Sequence, residues 1–290
     1  MMEPRFRHVL VPLDGSDFAD AAMATALALA DHFAADLRTI SVARNPDDVD
    51  KLRSHATNMV GLRSGPEGPI SVVVNDDVAG AITKRAAELA PSLLCLSTHG
   101  HGRFAGAVIG SVARSLLHSI QEPIIAVGPY ADRPSETVPE PPPPLSIRRL
   151  VACIDGGPAS ERVIPVAVAW ASALAMSLTI LTVADPSTPP IRPDATWRRT
   201  HGPNEDADAY LERVAERCRD AAIAVDTHVV YDPISPAHGL QLYLNEHPAG
   251  LIALTTHART GLRRALLGAS AAAMVRWSTA PALVVPLTER

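Results

Sequence analysis

The chain has 290 residues, 47% of them hydrophobic, a formal net charge of −5 and three cysteines, none in a C-x-x-C pair. That length holds two cores of ordinary domain size, while the negative balance argues against a nucleic-acid partner, which needs a clustered basic surface. The cysteine usage argues against a disulfide framework or a zinc site. No apolar stretch is long enough to cross a bilayer without charge, and Met1-Met2-Glu3-Pro4-Arg5 lacks the apolar core of a signal peptide, so a reduced, cytoplasmic protein with no membrane partner is expected.

The run His8-Val9-Leu10-Val11-Pro12-Leu13 predicts a strand over 8–13, closed by Asp14-Gly15. An Ala-rich stretch predicts a helix over 17–35, followed by a strand over 37–42. A helix is expected over Asp47 to Val60, then a strand over 70–74, a helix over 77–90, a strand over 93–97, a helix over 105–119 and a strand over 124–127. Val72-Val73-Val74, Leu93-Leu94-Cys95-Leu96 and Ile124-Ile125-Ala126-Val127 are continuous aliphatic runs, as strands buried on both faces require. Cys95 and Cys153 fall in such strands, where cysteine behaves as a small hydrophobe. Pro139-Glu140-Pro141-Pro142-Pro143-Pro144 can build no ladder and favours polyproline II. The boundary is therefore placed at 131–146, between a first domain over 1–130 and a second over 147–290. Strands of the second domain are expected over 149–154, 178–183, 226–230, 250–254 and 282–285.

The second half repeats the first. Leu150-Val151-Ala152-Cys153-Ile154-Asp155-Gly156 answers the opening run, and Thr255-Thr256-His257-Ala258 answers Ser97-Thr98-His99-Gly100. Asp14 to Val42 has the same spacing as Asp155 to Val183, and His99 to Gly110 the same as His257 to Gly268. Between these blocks the second copy is longer. The surplus is assigned to Asp185 to Glu205, whose five prolines mark an added loop rather than an added strand. A duplicated unit carries any site twice, intact or decayed.

Alternating β and α elements imply an α/β fold, each copy a five-stranded parallel sheet with helices on both faces. Such sheets take ligands at the carboxyl ends of strands where the strand order reverses. Asp14 closes the first strand and Ser97 the fourth, so both line one crevice if those strands are neighbours. Glycines around Gly100 and Gly110 let backbone N–H groups approach an anion, and the helix N-terminus beyond adds its positive dipole end. The Ser111 hydroxyl can add a donor there. These parts suit a polyphosphate, while a carboxylate at the first strand suits a ribose hydroxyl or an adenine amine.

This arrangement resembles the universal stress protein family, in particular its tandem-domain members. The family's ATP-binding signature is Gly, two residues, Gly, nine residues, Gly, then Ser or Thr. The first copy reads Ser97, two residues, Gly100, nine residues, Gly110, Ser111, departing at the first position. The second reads Thr255, Ala258, Gly268, Ala269, with Ser270 one place late. The resemblance implies two tandem Rossmann-like domains of the adenine-nucleotide alpha hydrolase-like kind. It also implies an ATP-binding regulator of the stress response. By position it implies Asp14 at the adenine and ribose end with Pro12 beside it, and Val42 on adenine through its backbone. Ser97 would face the ribose, and His99, Gly100, Gly110, Ser111 and Val112 the phosphates. The second-copy counterparts are Asp155, Val183, Thr255, His257, Gly268 and Ser270, expected to bind more weakly or not at all.

Blander readings stand beside these. Asp14-Gly15-Ser16 also reads as a strand-to-helix turn with a capping side chain. Gly100-His101-Gly102-Arg103-Phe104-Ala105 matches a dinucleotide fingerprint, but that pattern belongs after a first strand with an acid ending the next. His99 and His101 lack Cys or carboxylate partners nearby in sequence, which makes a metal a weak reading. Trp170, Trp197 and Trp277 read as packing or loop residues. The sequence has no P-loop motif, no kinase-like lysine and no Gly-x-Ser-x-Gly elbow. A regulatory protein rather than a dedicated catalyst follows, with slow ATP hydrolysis or a nucleotide-free interaction module as alternatives. ATP, AMP and a cyclic nucleotide stay open, and a triphosphate site usually recruits Mg²⁺. The resemblance further implies pairing of the two copies through their last strands, which would protect those edges. Homodimerisation and a regulatory protein partner are expected beyond that.

Overall fold

A computed structural model of the chain describes residues 4–60, 69–99, 109–119, 122–131, 143, 145–184, 206–256 and 269–287. The first repeat runs β1 (His8–Pro12), α1 (Asp17–Phe33), β2 (Asp36–Ala43), α2 (Val49–Val60), β3 (Ile70–Val74), α3 (Val78–Glu88), β4 (Ser92–Ser97), α4 (Ser111–Ser119) and β5 (Ile124–Val127). The second runs β6 (Arg149–Cys153), α5 (Val163–Ala173), β7 (Ser177–Ala184), α6 (Ala207–Glu216), β8 (Val225–Tyr231), α7 (Pro236–Glu246), β9 (Leu251–Thr255), α8 (Ala269–Trp277) and β10 (Ala282–Val285). The inserted stretch 185–205, with Trp197, and most of the proline-rich connection lie outside the described residues.

The ten strands among the described residues form one sheet in the order β3-β2-β1-β4-β5-β10-β9-β6-β7-β8. Every pairing within a repeat is parallel. The two halves meet where β5 and β10 run antiparallel, with Ala126 opposite Ala282, Ile125 opposite Leu283 and Ile124 opposite Val284. These six residues are fully buried. Pairing there removes two edges of unsatisfied backbone at once.

Side chains alternate across the sheet because successive residues of a strand point to opposite faces. Val9 and Val11 join a core with residues of α1, α2, α5 and α6. Leu10 joins the opposite core with residues of α3, α4, α7 and α8. Helices thus cover both faces of each five-stranded parallel half. Capping sets three of the helix starts: Asp77 accepts from the Gly80 N–H, Asp206 from Ala209 and Ser235 from His238, the last with Pro236 at the first helical position. No helix among the described residues is long and apolar enough to cross a membrane.

Two expectations need correction. The run Val72-Val73-Val74 is not doubly buried. Among the described residues β3 is the outermost strand with β2 as its one neighbour, its residues are partly exposed and Val74 is 51% exposed. An aliphatic run reports β propensity, and burial of both faces depends on where the strand lies in the sheet. The helix expected over 105–119 begins at Ser111, with Ile109 and Gly110 still in the loop. Cys95, Cys153 and Cys218 are buried thiols, and burial pushes the Cys153 thiol up to about 12, where it behaves as an apolar group.

Aromatic packing ties the halves together. Trp170 of α5 lies 6.1 Å from the Phe6 ring and 5.8 Å from that of Phe33, both in the first repeat. The His32 ring Nε2 lies 2.8 Å from the Ala173 carbonyl oxygen. Tyr130 stacks on Trp277 with centroids 5.0 Å apart. Trp170 and Trp277 are therefore seam residues.

Candidate functional site

In the first repeat the chain runs β1 to β3 outward, then returns to place β4 on the other side of β1. That reversal opens a crevice between the carboxyl ends of β1 and β4. β1 ends in a turn in which Gly15 has φ of 79°, a left-handed conformation suited to glycine. Asp14 Oδ1 accepts hydrogen bonds from the Ser16 N–H at 3.0 Å and the Ser16 hydroxyl at 2.6 Å. The turn-capping reading of Asp14 is thus realised in the fold, and Asp14 faces the crevice as well.

At the end of β4 the Ser97 hydroxyl donates to the His99 carbonyl at 3.0 Å. Thr98 is buried, and its hydroxyl bridges the Val127 carbonyl at 3.3 Å and His99 Nδ1 at 2.9 Å. The Gly110 N–H donates to the Thr98 carbonyl at 2.8 Å. This bond brings the two ends of the glycine-rich loop together, so Ser97 to His99 and Gly110 to Val112 become neighbours at the start of α4.

These pieces enclose a cavity of about 590 Å³. Pro12, Asp14, Val42, Ser97, His99, Gly110, Ser111 and Val112 all line it. Gly100 lies outside the described residues. Ile40, Val78, Ile82, Leu96 and Leu116 give the cavity apolar lining. Apolar lining together with a helix N-terminus and hydroxyls suits a flat heterocycle joined to an anion. Among the described residues, no group of three His, Cys, Asp or Glu side chains could hold a metal ion.

Sequence reasoning missed Arg44, Thr98 and Arg114, which also line the cavity. Arg44 follows Val42 by two residues at the same strand end. Arg114 sits in the first turns of α4, a helix with no acidic residue in its first turn. A cation there opposes the helix dipole, and that reversal was the signal available in the sequence.

The second repeat differs. Asp155 Oδ1 accepts the Gly157 N–H at 2.9 Å, and Gly156 repeats the positive φ at 81°. β6 lies beside both β7 and β9, so Asp155, Val183 and Thr255 stand near the same sheet end. Thr255 is buried and Ser270 is exposed on α8. His257 and Gly268 lie outside the described residues. Helix α7 approaches through Gly239, where a β-carbon would stand 2.6 Å from Val183 Cγ1. Val183, the half-buried counterpart of Val42, thus meets the α7 backbone closely.

Beside that contact lies a buried carboxylate. Asp232 Oδ1 accepts from the Ile234 and Ser235 N–H groups at 2.8 and 2.9 Å, and Oδ2 lies 2.6 Å from His238 Nδ1. Burial pushes the Asp232 carboxyl up, but the Ser235 N–H, the His238 ring and the Ile234 N–H outweigh it and hold it below the usual carboxylate range. A depressed carboxyl stabilises the fold above its unfolded value and loses that contribution as pH falls through the folded value. Asp232→Asn is therefore expected to lower the urea midpoint near neutral pH and to cost progressively less below about pH 4. An equal penalty at both pH values would show that the charge is not the source.

A family model described as the Universal stress protein family matches residues 5–128 and 146–286. A universal stress protein of Mycobacterium tuberculosis strain H37Rv is 27% identical over 234 residues, covering 79% of this chain and 70% of that relative. A second from the same strain is 27% identical over 158 residues, 47% of this chain, which there spans about half (53%) of the relative's length. In three dimensions the chain is similar to a universal stress protein of Archaeoglobus fulgidus DSM 4304, with a TM-score of 0.65 at 16% identity, covering 98% of this chain and 99% of that one.

Proposed function

The chain belongs to the universal stress protein family, and on that footing we propose that its first repeat binds an adenine nucleotide, ATP in the first instance, and that the protein works as a nucleotide-dependent regulator in the stress response rather than as a dedicated catalyst. The observation that carries this reading is the cavity in which Pro12, Asp14, Val42, Ser97, His99, Gly110, Ser111 and Val112 converge. In this reading adenine lies against the Val42 backbone and the apolar wall, with Asp14 and Ser97 near the ribose. His99, Gly100, Gly110, Ser111 and Val112 surround the phosphates. Occupancy would favour one arrangement of the glycine loop and so bias a surface read by a protein partner.

The second repeat is assigned a weaker or vestigial site at Asp155, Val183, Thr255, His257, Gly268 and Ser270. Two features favour this: Ala258 and Ala269 replace signature residues, and α7 packs its backbone onto Val183. The proposed division is a first domain over 1–130, a linker over 131–146 and a second domain over 147–290, acting in the cytoplasm as a homodimer of such chains.

Calorimetric titration of nucleotide-stripped protein tests the reading. The expected result is one ATP per chain, with turnover of labelled ATP slow or absent. No heat with ATP, AMP or a cyclic nucleotide, from protein shown to be folded, would overturn it and favour the interaction-module alternative.

A further inference from the structure

We propose that the phosphate end of this cavity is built for a polyphosphate free of divalent metal, with the Arg114 guanidinium supplying the positive charge that a bound Mg²⁺ would otherwise bring. The proposal rests on the nucleotide reading above and specifies which form of the ligand the site selects.

The donor set argues against a protein-held Mg²⁺. That ion takes oxygen ligands in a near-ideal octahedron and is held by one or two carboxylates together with substrate phosphates. Among the described residues lining the cavity, Asp14 is the one carboxylate, and its Oδ1 already accepts two hydrogen bonds from Ser16. Ser97 to Gln121, the whole stretch from the end of β4 through the glycine loop and α4, contains no aspartate or glutamate, whereas it contains Arg103 and Arg114. A second carboxylate is therefore missing from the segment that would hold the phosphates.

Arg114 is placed to act instead. It is exposed, and it lines the cavity from the first turns of α4. Its side chain folds back to the start of the helix, where among the described residues Nη2 makes one long hydrogen bond of 3.4 Å to the Ile109 carbonyl. A guanidinium has five N–H donors in a fixed fork, so most of its capacity remains for phosphate oxygens, which it meets in bidentate fashion. Without an anion this cation faces the positive end of the helix dipole and costs stability. With a polyphosphate between them, both attract the same ligand.

The second repeat lacks the device. The spacing that matches Gly110 to Gly268 puts Ala272 at the position of Arg114. The metal-free preference should therefore belong to the first repeat alone.

The experiment titrates ATP, AMP and inorganic tripolyphosphate into the full chain and into Arg114→Ala and Arg114→Lys, once in EDTA and once in excess Mg²⁺. The parent is expected to bind ATP in EDTA at least as tightly as in Mg²⁺. Arg114→Ala should weaken ATP and tripolyphosphate by about tenfold, the lower range for a charged hydrogen bond at an exposed site. AMP should bind nearly unchanged, and Arg114→Lys should recover part of the loss. The unliganded Ala variant should melt no lower than the parent, because the opposed charge is gone. ATP binding that requires Mg²⁺, or an Ala variant that binds ATP like the parent, would overturn the proposal. Metal-free tripolyphosphate binding lost in the Ala variant, with no adenine nucleotide bound by any form, would retain the anion site and remove the nucleotide reading. Failure of all three ligands to bind would remove both.

Discussion

Gly110→Val is expected to abolish nucleotide binding while leaving the protein folded. Gly110 stands immediately before α4, and its N–H holds the loop closed on the Thr98 carbonyl. A β-carbon there would lie 3.4 Å from that carbonyl oxygen, a contact the backbone tolerates. The two branching methyls have no such room, because position 110 lines the cavity at the place proposed for phosphate oxygens. The stability cost should resemble that of a poor helix cap, under about 1 kcal/mol. The binding cost should be far larger, roughly 100-fold or ~2.7 kcal/mol, since an anion would have to leave the helix N-terminus. Calorimetry on the variant, with circular dichroism to establish folding, reads both effects. Gly268→Val in the second repeat should leave ATP binding intact. If Gly268→Val removed the heat and Gly110→Val did not, the site would belong to the other repeat.

Trp170→Ala is expected to produce the largest loss of stability. Trp170 is 3% exposed and packs from the second repeat against Phe6 and Phe33 of the first. Replacing a buried tryptophan by alanine removes its transfer free energy and leaves a cavity, together costing about 3–5 kcal/mol. That is a large part of a typical total of about 5–15 kcal/mol. The loss falls on contacts between repeats, so the unfolding curve should also broaden or split as the halves cease to melt together. Urea denaturation followed by tryptophan fluorescence and by circular dichroism checks this. A loss below about 1 kcal/mol, with one sharp transition, would show that the β5–β10 pairing holds the halves together without the aromatic cluster.

Much of the fold was legible because it is local and repeated. The apolar run before Asp14 and its echo before Asp155 each produce a buried strand followed by a glycine turn at positive φ. That turn is short-range chemistry, so it survives duplication unchanged. The candidate site was legible in part for the same reason: Ser97, Gly110 and Ser111 carry a spacing that reflects one loop and one helix start. Arg44 and Arg114 were less legible, since they come to line one cavity with Asp14 only after β1 takes β2 on one side and β4 on the other. The burial expected for Val72-Val73-Val74 failed because nothing within β3 records whether a further strand lies beyond it.

The local periodicities were readable along the chain: two α/β repeats, their strand ends, and a glycine loop leading to a helix N-terminus. These depend on residues a few positions apart, whose φ/ψ preferences and apolar spacing act before any long-range contact forms. Long-range contacts set the rest: β3 is an edge, β5 and β10 pair against each other, Trp170 packs across the seam, α7 packs onto Val183, and the residues lining the first repeat's cavity converge. Each of these depends on which surfaces meet once the chain has collapsed, and no short stretch of sequence records that meeting.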